Sequence, residues 1–168
     1  MSEMIHNFPP AIHFGWGEAK GTAKHVRNLG GAMVLIVTDE GVRKAGLLKG
    51  VQASLKKEEI PFMFFDGVQP NPTDLNVMEG LEIYRSEGCN AVVAVGGGSP
   101  MDAAKGVVLM ARHPGRLEEY YVGADPRSRI TGDVPSFIAI PTTSGTGSEA
   151  STRGVITNTA ENRKRVII

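Results

Sequence analysis

Along most of this chain, continuous apolar runs alternate with amphipathic stretches. Met33–Thr38 (MVLIVT) is unbroken and largely β-branched, which predicts a strand buried on both faces, as in a parallel sheet. Before it, Glu18–Leu29 mixes polar and apolar residues, and Gly30-Gly31 supplies a helix-stop signal. After Asp39 a helical segment is expected to run to about Glu59, with breaks near Gly46 and Gly50. Pro61–Phe65 (PFMFF) predicts a second strand, and the loop Asp66–Thr73 (DGVQPNPT) follows it. Thr73 or Asp74 then caps a helix to about Ser86. Ala91–Val95 (AVVAV) predicts a third strand, leading through Gly96–Ser99 into a helix over Ser99–Ala111. Arg112–Asp133 is less regular, with room for a short helix over Arg116–Tyr121. Ser136–Ile140 (SFIAI) predicts a fourth strand, and Gly154–Thr157 with Arg165–Ile168 a terminal pair.

This alternation implies an α/β fold with a mostly parallel, Rossmann-like sheet flanked by helices. In such sheets ligands sit at the carboxyl ends of the strands, so the loops that leave those ends hold the candidate chemistry. The 168 residues suit one domain. Eighteen basic residues balance eighteen acidic ones, which gives no electrostatic case for nucleic acid or an anionic membrane as partner. The one cysteine, Cys89, excludes an intrachain disulfide and fits a cytoplasmic setting; ahead of a strand, it is most simply a small packing residue. Met1–Pro10 is polar and carries no basic start followed by an apolar run, unlike a secretory signal. No stretch approaches the ~18 apolar residues that span a bilayer. The chain closes on Val166-Ile167-Ile168, an apolar ending that expects more chain or a partner strand.

Gly96-Gly97-Gly98-Ser99-Pro100-Met101-Asp102 reads either as a phosphate-binding turn or as a tight strand-to-helix turn with no ligand. Ser99 is expected as the N-cap, Pro100 at the first helical position, and Asp102 as the acid of a capping box. Asp39, directly after a buried strand, suits a ribose diol and would repel a 2′-phosphate, or it simply caps the next helix. Asn71, between Pro70 and Pro72, bonds a ribose or phosphate oxygen or stabilises its own turn. In Pro141–Glu149, the Thr142, Thr143 and Thr146 hydroxyls and the backbone donors could line a nucleotide site. A nucleophilic serine there is disfavoured, because the G-x-S-x-G pattern and a downstream histidine are both missing. His6, His13, His25 and His113 show no ligand-like spacing and read as ordinary surface or partly buried residues.

The run GGGSPMDAAK at Gly96–Lys105, followed by PTTSGTGSE at Pro141–Glu149, resembles the iron-containing (group III) alcohol dehydrogenase family. The strand-end TDEG at Thr38–Gly41 and the PNPT loop at Pro70–Thr73 match in order and spacing, and FGWG at Phe14–Gly17 resembles the family's early strand and glycine turn. The resemblance covers essentially the whole chain and makes residues 1–168 the N-terminal dinucleotide-binding domain. It implies that Asp39 meets the adenosine ribose and favours NAD over NADP. It places Asn71 beside the cofactor and Gly97, Gly98 and Ser99 at the pyrophosphate. Thr142, Thr143 and Thr146 would line the adenine and nicotinamide-side pocket, Val155 and Lys164 would add contacts, the lysine at the ribose, and Asp102 would point toward the nicotinamide.

The family's other half is helical and holds iron(II) or zinc with one aspartate and three histidines, and that half is expected to be absent here. There the metal polarises the oxygen of an alcohol or aldehyde substrate while hydride passes between the carbinol carbon and NAD. No catalytic or metal-ligating residue is therefore expected within this chain, which alone should be inactive. The full-length protein is expected to be a homo-oligomer. A glycerol dehydrogenase or dehydroquinate-synthase-like relative is the alternative within the wider superfamily, although the PTTSGTGSE run favours the alcohol dehydrogenase branch. A stand-alone, non-catalytic nucleotide-binding or interaction module is the alternative outside it.

Overall fold

The computed structural model describes residues 11–124 and 130–167. The opening segment 1–10, where the absence of a signal pattern was read, and Ile168 lie outside the described residues. Strands β1 (Val34–Val37), β2 (Phe62–Phe65), β3 (Ala91–Gly96) and β4 (Ser136–Pro141) form one parallel sheet in the order β2-β1-β3-β4. Val34 stands beside Phe62 on one side and Ala91 on the other, and Ala91 stands beside Ser136. The two inner strands are buried throughout, as their unbroken apolar runs require, while β2 and β4 are mostly half-buried edges.

Helices α1 (Thr22–Asn28), α2 (Glu40–Lys44), α3 (Lys49–Lys57), α4 (Asp74–Ser86) and α5 (Gly98–Arg112) cover the sheet. Alternate strand residues face opposite layers. Leu35, Val37, Val92 and Ala94 pack with Tyr84 of α4 and Met101, Ala104 and Val107 of α5. Val34, Ile36, Val93 and Val95 pack with Val26 of α1 and Val51 and Leu55 of α3. Each such side chain contributes about 1.5–3 kcal/mol by leaving water, so these two layers supply most of the drive to fold. A third cluster joins Val77, Leu81, Leu109 and Tyr120 to Ile156 and Ile167 of a separate antiparallel hairpin, β5 (Gly154–Asn158) with β6 (Arg163–Ile167). Val166 and Ile167 of the apolar run near the end of the chain pair with Val155 and Gly154 of β5.

Several boundaries differ from the sequence expectation. The helical stretch after Asp39 breaks at Gly46, which takes φ +72°, whereas Gly50 lies inside α3 with ordinary space around it. Gly97 rather than Ser99 is the N-cap of α5, so Pro100 sits in the third helical position. The extended backbone that a cap needs falls one residue after β3 ends, before Ser99 is reached. Residues 11–14 form no strand; the chain bends at Gly17 (φ +82°) into a 3-10 turn over Glu18–Gly21, leaving Phe14 and Trp16 exposed. No strand among the described residues lies beside that segment to pair with it. The short helix expected near Arg116 is a 3-10 turn, Leu117–Tyr120, and residues 125–129 of the irregular stretch lie outside the description. Among the described residues no helix is long and apolar enough to cross a membrane.

Cys89 is buried, as a packing residue should be, and burial reinforced by the nearby Glu87 carboxylate pushes its thiol from about 9 to about 11. In the native protein it is expected to react with iodoacetamide at pH 8 at least ~tenfold more slowly than in the denatured chain, because only the thiolate attacks. The sign for stability follows from the raised value. Below about pH 9 both states keep the proton, whereas between about 9 and about 11 only the native state does. Stability is therefore expected to fall as pH rises through that window, less so in Cys89→Ala, as denaturation at stepped pH would measure.

Candidate cofactor site

The strand order places β2 to one side of β1 and β3 and β4 to the other. The chain therefore reverses its direction of sheet growth between β1 and β3, the place where open α/β sheets accommodate a ligand at the strands' carboxyl ends. The buried Thr38 hydroxyl donates to the Val95 carbonyl oxygen at 2.8 Å and holds the two ends side by side. Asp39 leaves β1 at this point, Gly97–Ser99 leave β3, the threonine loop leaves β4, and the Asn71 loop leaves β2.

The glycine turn and the threonine loop lie side by side at the strand ends. The Thr142 amide donates to Gly96 O at 2.8 Å. A Cβ on Gly97 would stand 3.2 Å from Thr143 Oγ1, and one on Gly98 would stand 3.8 Å from Thr146 Cβ. Glycine at 97 thus keeps open a gap that a side chain would begin to fill. No side chain caps α5, so its first-turn amides lack the acceptor that a serine cap would have given them. An anion fits such a turn. Gly145 and Gly147 carry φ +84° and +68°, which shapes the threonine loop. Thr142, Thr143 and Thr146 are exposed on it, and Thr146 Oγ1 donates to Glu149 Oε2 at 3.0 Å.

Asp39 caps the next helix, one of the two readings its position allowed. Its Oδ1 accepts from the Val42 amide at 2.8 Å and caps α2, which engages one of two carboxylate oxygens on a half-buried residue. Asn71 is exposed with φ +58°, a left-handed turn conformation that asparagine tolerates. Its loop is held by the buried Asn76, whose Oδ1 accepts from the Thr73 and Gln69 amides at 3.2 and 3.4 Å, while Nδ2 donates to Gly67 O at 3.2 Å.

Asp102 is not the acid of a capping box. Its Oδ1 accepts from the Ser148 hydroxyl at 2.5 Å and lies 3.5 Å from Lys105 Nζ, and Oδ2 accepts from the Val155 amide at 3.0 Å. The Lys105 ammonium also donates to Ser148 Oγ and to Arg153 O. Burial pushes Lys105 below its ordinary value, against the opposing pull of Asp102 and, behind it, Glu149. Val155 and Lys164 share the exposed face of the hairpin, Lys164 standing opposite Thr157. Asn76, Lys105 and Ser148 escape sequence reasoning. Asn76 lay three residues after a capping threonine, a signal that Thr73 and Asn76 realise as a capping box.

A metal finds no such reception. Among the described residues no group of three or more His, Cys, Asp or Glu side chains is placed to hold one. His113 is buried, with Nδ1 2.8 Å from Leu109 O and Nε2 accepting from the Thr131 amide at 2.9 Å. These residues do not fit an iron centre.

The sequence profile of iron-containing alcohol dehydrogenases matches residues 9–168. The chain belongs to that family. It is similar to a choline dehydrogenase of Bacillus subtilis, 42% identical over 158 residues, covering 93% of this chain and 39% of the relative. A solved 1,3-propanediol oxidoreductase superposes with TM-score 0.90 at 37% identity over 99% of this chain and 43% of that one. An NADH-dependent butanol dehydrogenase A of Thermotoga maritima gives TM-score 0.89 at 31% identity, over 99% of this chain and 41% of that one. The chain therefore spans about two fifths of the length of these family members.

Proposed function

We propose that this chain is the NAD-binding domain of an alcohol dehydrogenase whose metal centre, iron(II) or zinc, lies in the helical half that completes its relatives' length. The observation that carries this reading is the convergence of Asp39, the Gly97–Ser99 turn and the threonine loop on one crevice at the switch point of the sheet. The α5 amides at Gly98 and Ser99 would hold the pyrophosphate, Asp39 the adenosine ribose, and Thr142, Thr143 and Thr146 the pocket wall, with Asn71, Val155 and Lys164 at its margin. Bound NAD would supply the hydride acceptor for a small alcohol, or as NADH the donor for an aldehyde. The residues of this chain would bind and orient the cofactor, and the group that polarises the substrate oxygen would belong to the other half. One of the similar structures is NADH-dependent by name, which supports NAD as the cofactor. The carboxylate of Asp39 would repel the 2′-phosphate of NADP. A cytoplasmic, homo-oligomeric holoenzyme accompanies this reading.

Calorimetric titration with NAD and NADP tests it, and Asp39→Ser is the informative variant. Serine keeps the cap on α2 and removes the carboxylate, so helix stability is expected to hold while NAD affinity falls about tenfold, the value of one charge-assisted hydrogen bond. Discrimination against NADP should narrow in the same variant. A folded chain that binds neither dinucleotide overturns the proposal.

A further inference from the structure

We propose that Lys105, Asp102 and Ser148 form a buried positioning knot that docks the threonine loop and the β5–β6 hairpin onto α5, and so sets the width of the cofactor crevice. This rests on the function proposed above, and Asp102, which the family resemblance points toward the nicotinamide, would hold the loops as well. Lys105 is 9% exposed and Ser148 8%. The three ammonium donors of Lys105 reach three different segments: Ser148 Oγ of the loop at 2.8 Å, Arg153 O ahead of β5 at 2.7 Å, and Asp102 Oδ1 of its own helix at 3.5 Å. The Ser148 hydroxyl is a donor to Asp102 and an acceptor from Lys105 at once, and the other oxygen of Asp102 takes the Val155 amide. The ammonium and the hydroxyl have no donor left over for a ligand.

Buried ion pairs add little stability over apolar packing of the same volume, but a fully satisfied one admits few other arrangements. Here the arrangement fixes loops 43 to 53 residues distant in sequence from the helix. The constraint then passes outward. Strand β5, held at Val155, donates its Thr157 amide to Pro72 O at 2.7 Å and so steadies the Asn71 loop. Across the hairpin, Thr157 fixes the position of Lys164. Burial of the lysine, opposed by Asp102, makes the cation dependent on this partner. One knot thus carries the threonines, Asn71, Val155 and Lys164 together.

The test uses Ser148→Ala, with Lys105→Met as the harsher variant, read by hydrogen exchange of the unliganded chain and by NAD titration. Exchange is expected to rise in residues 142–150 and 154–158 and to stay unchanged in β1 and β3, because local opening is reported segment by segment. NAD affinity is expected to fall about tenfold in Ser148→Ala. Unchanged exchange in those segments would overturn the knot. Raised exchange with wild-type NAD affinity would overturn its control of the crevice. If the unsubstituted chain fails to bind NAD, the functional proposal fails, and the exchange pattern still decides whether the knot docks the loops. Should Lys105→Met fail to fold, Ser148→Ala decides alone.

Discussion

Gly106→Val is expected to destabilise the protein by about 3 kcal/mol, the upper range for overpacking a dense interior. A Cβ at Gly106 would stand 2.6 Å from Val77 Cγ2 and 2.9 Å from Val77 Cγ1. The facing helix has the same device, for a Cβ at Gly80 would stand 2.9 Å from Val107 Cγ2 and 3.1 Å from Phe65 Cδ1. Helices α4 and α5 therefore approach closely because each presents a glycine to a valine of the other. Alanine at 106 separates the competing effects. It gains about 1 kcal/mol of helix propensity and loses about 1–3 kcal/mol to the clash, so a net loss is expected. In a Val77→Ala background the offending methyls are gone, and Gly106→Ala should become stabilising by up to about 1 kcal/mol, a coupling typical of residues in contact. Urea midpoints with unchanged slopes would measure all of these. Stabilisation by Gly106→Ala in the native background would refute this account of the helix contact.

The second large effect is expected at Asn76. Asn76→Ala strips an acceptor from the Thr73 and Gln69 amides and a donor from Gly67 O, at about 1–3 kcal/mol for each group left unpaired beside a buried position. A total loss of about 3 kcal/mol is expected, together with faster amide exchange across 67–73. Asn76→Asp should fall between wild type and alanine. It retains an oxygen for the two amides but sets a second oxygen against the Gly67 carbonyl. Equal stability of the alanine and wild-type proteins would show that the loop is held by its prolines instead.

The sheet and its helices were legible because burial on both faces writes an unbroken apolar run, as in β1 and β3, and because Thr73 and the glycines punctuate the rest. The stop at Gly46 and the absence of one at Gly50 depend on a left-handed φ that composition does not distinguish. The misplaced start of α5 has a similar origin, since glycine and serine are both acceptable caps and the end of β3 decides between them. The loops at the strand ends were legible, and Asp39, Gly97 and Thr143 lie on them as expected. Lys105 sits two turns into α5, away from the glycine turn that the sequence points to. Its depth is what brings it to Ser148 and Arg153, residues whose proximity only the folded chain creates.

The β5–β6 hairpin has a consequence for the order of assembly. Every pairing in the main sheet joins distant parts of the chain, whereas β5 and β6 are neighbours linked through residues 159–162. A hairpin of this kind closes in about 1–10 μs, long before loop-closure entropy is overcome for parallel strands. It nevertheless has nothing to dock on until α5 has formed against the sheet. The hairpin is then expected to gain its stability only when it seats on α5, and the loops it steadies are set at that moment.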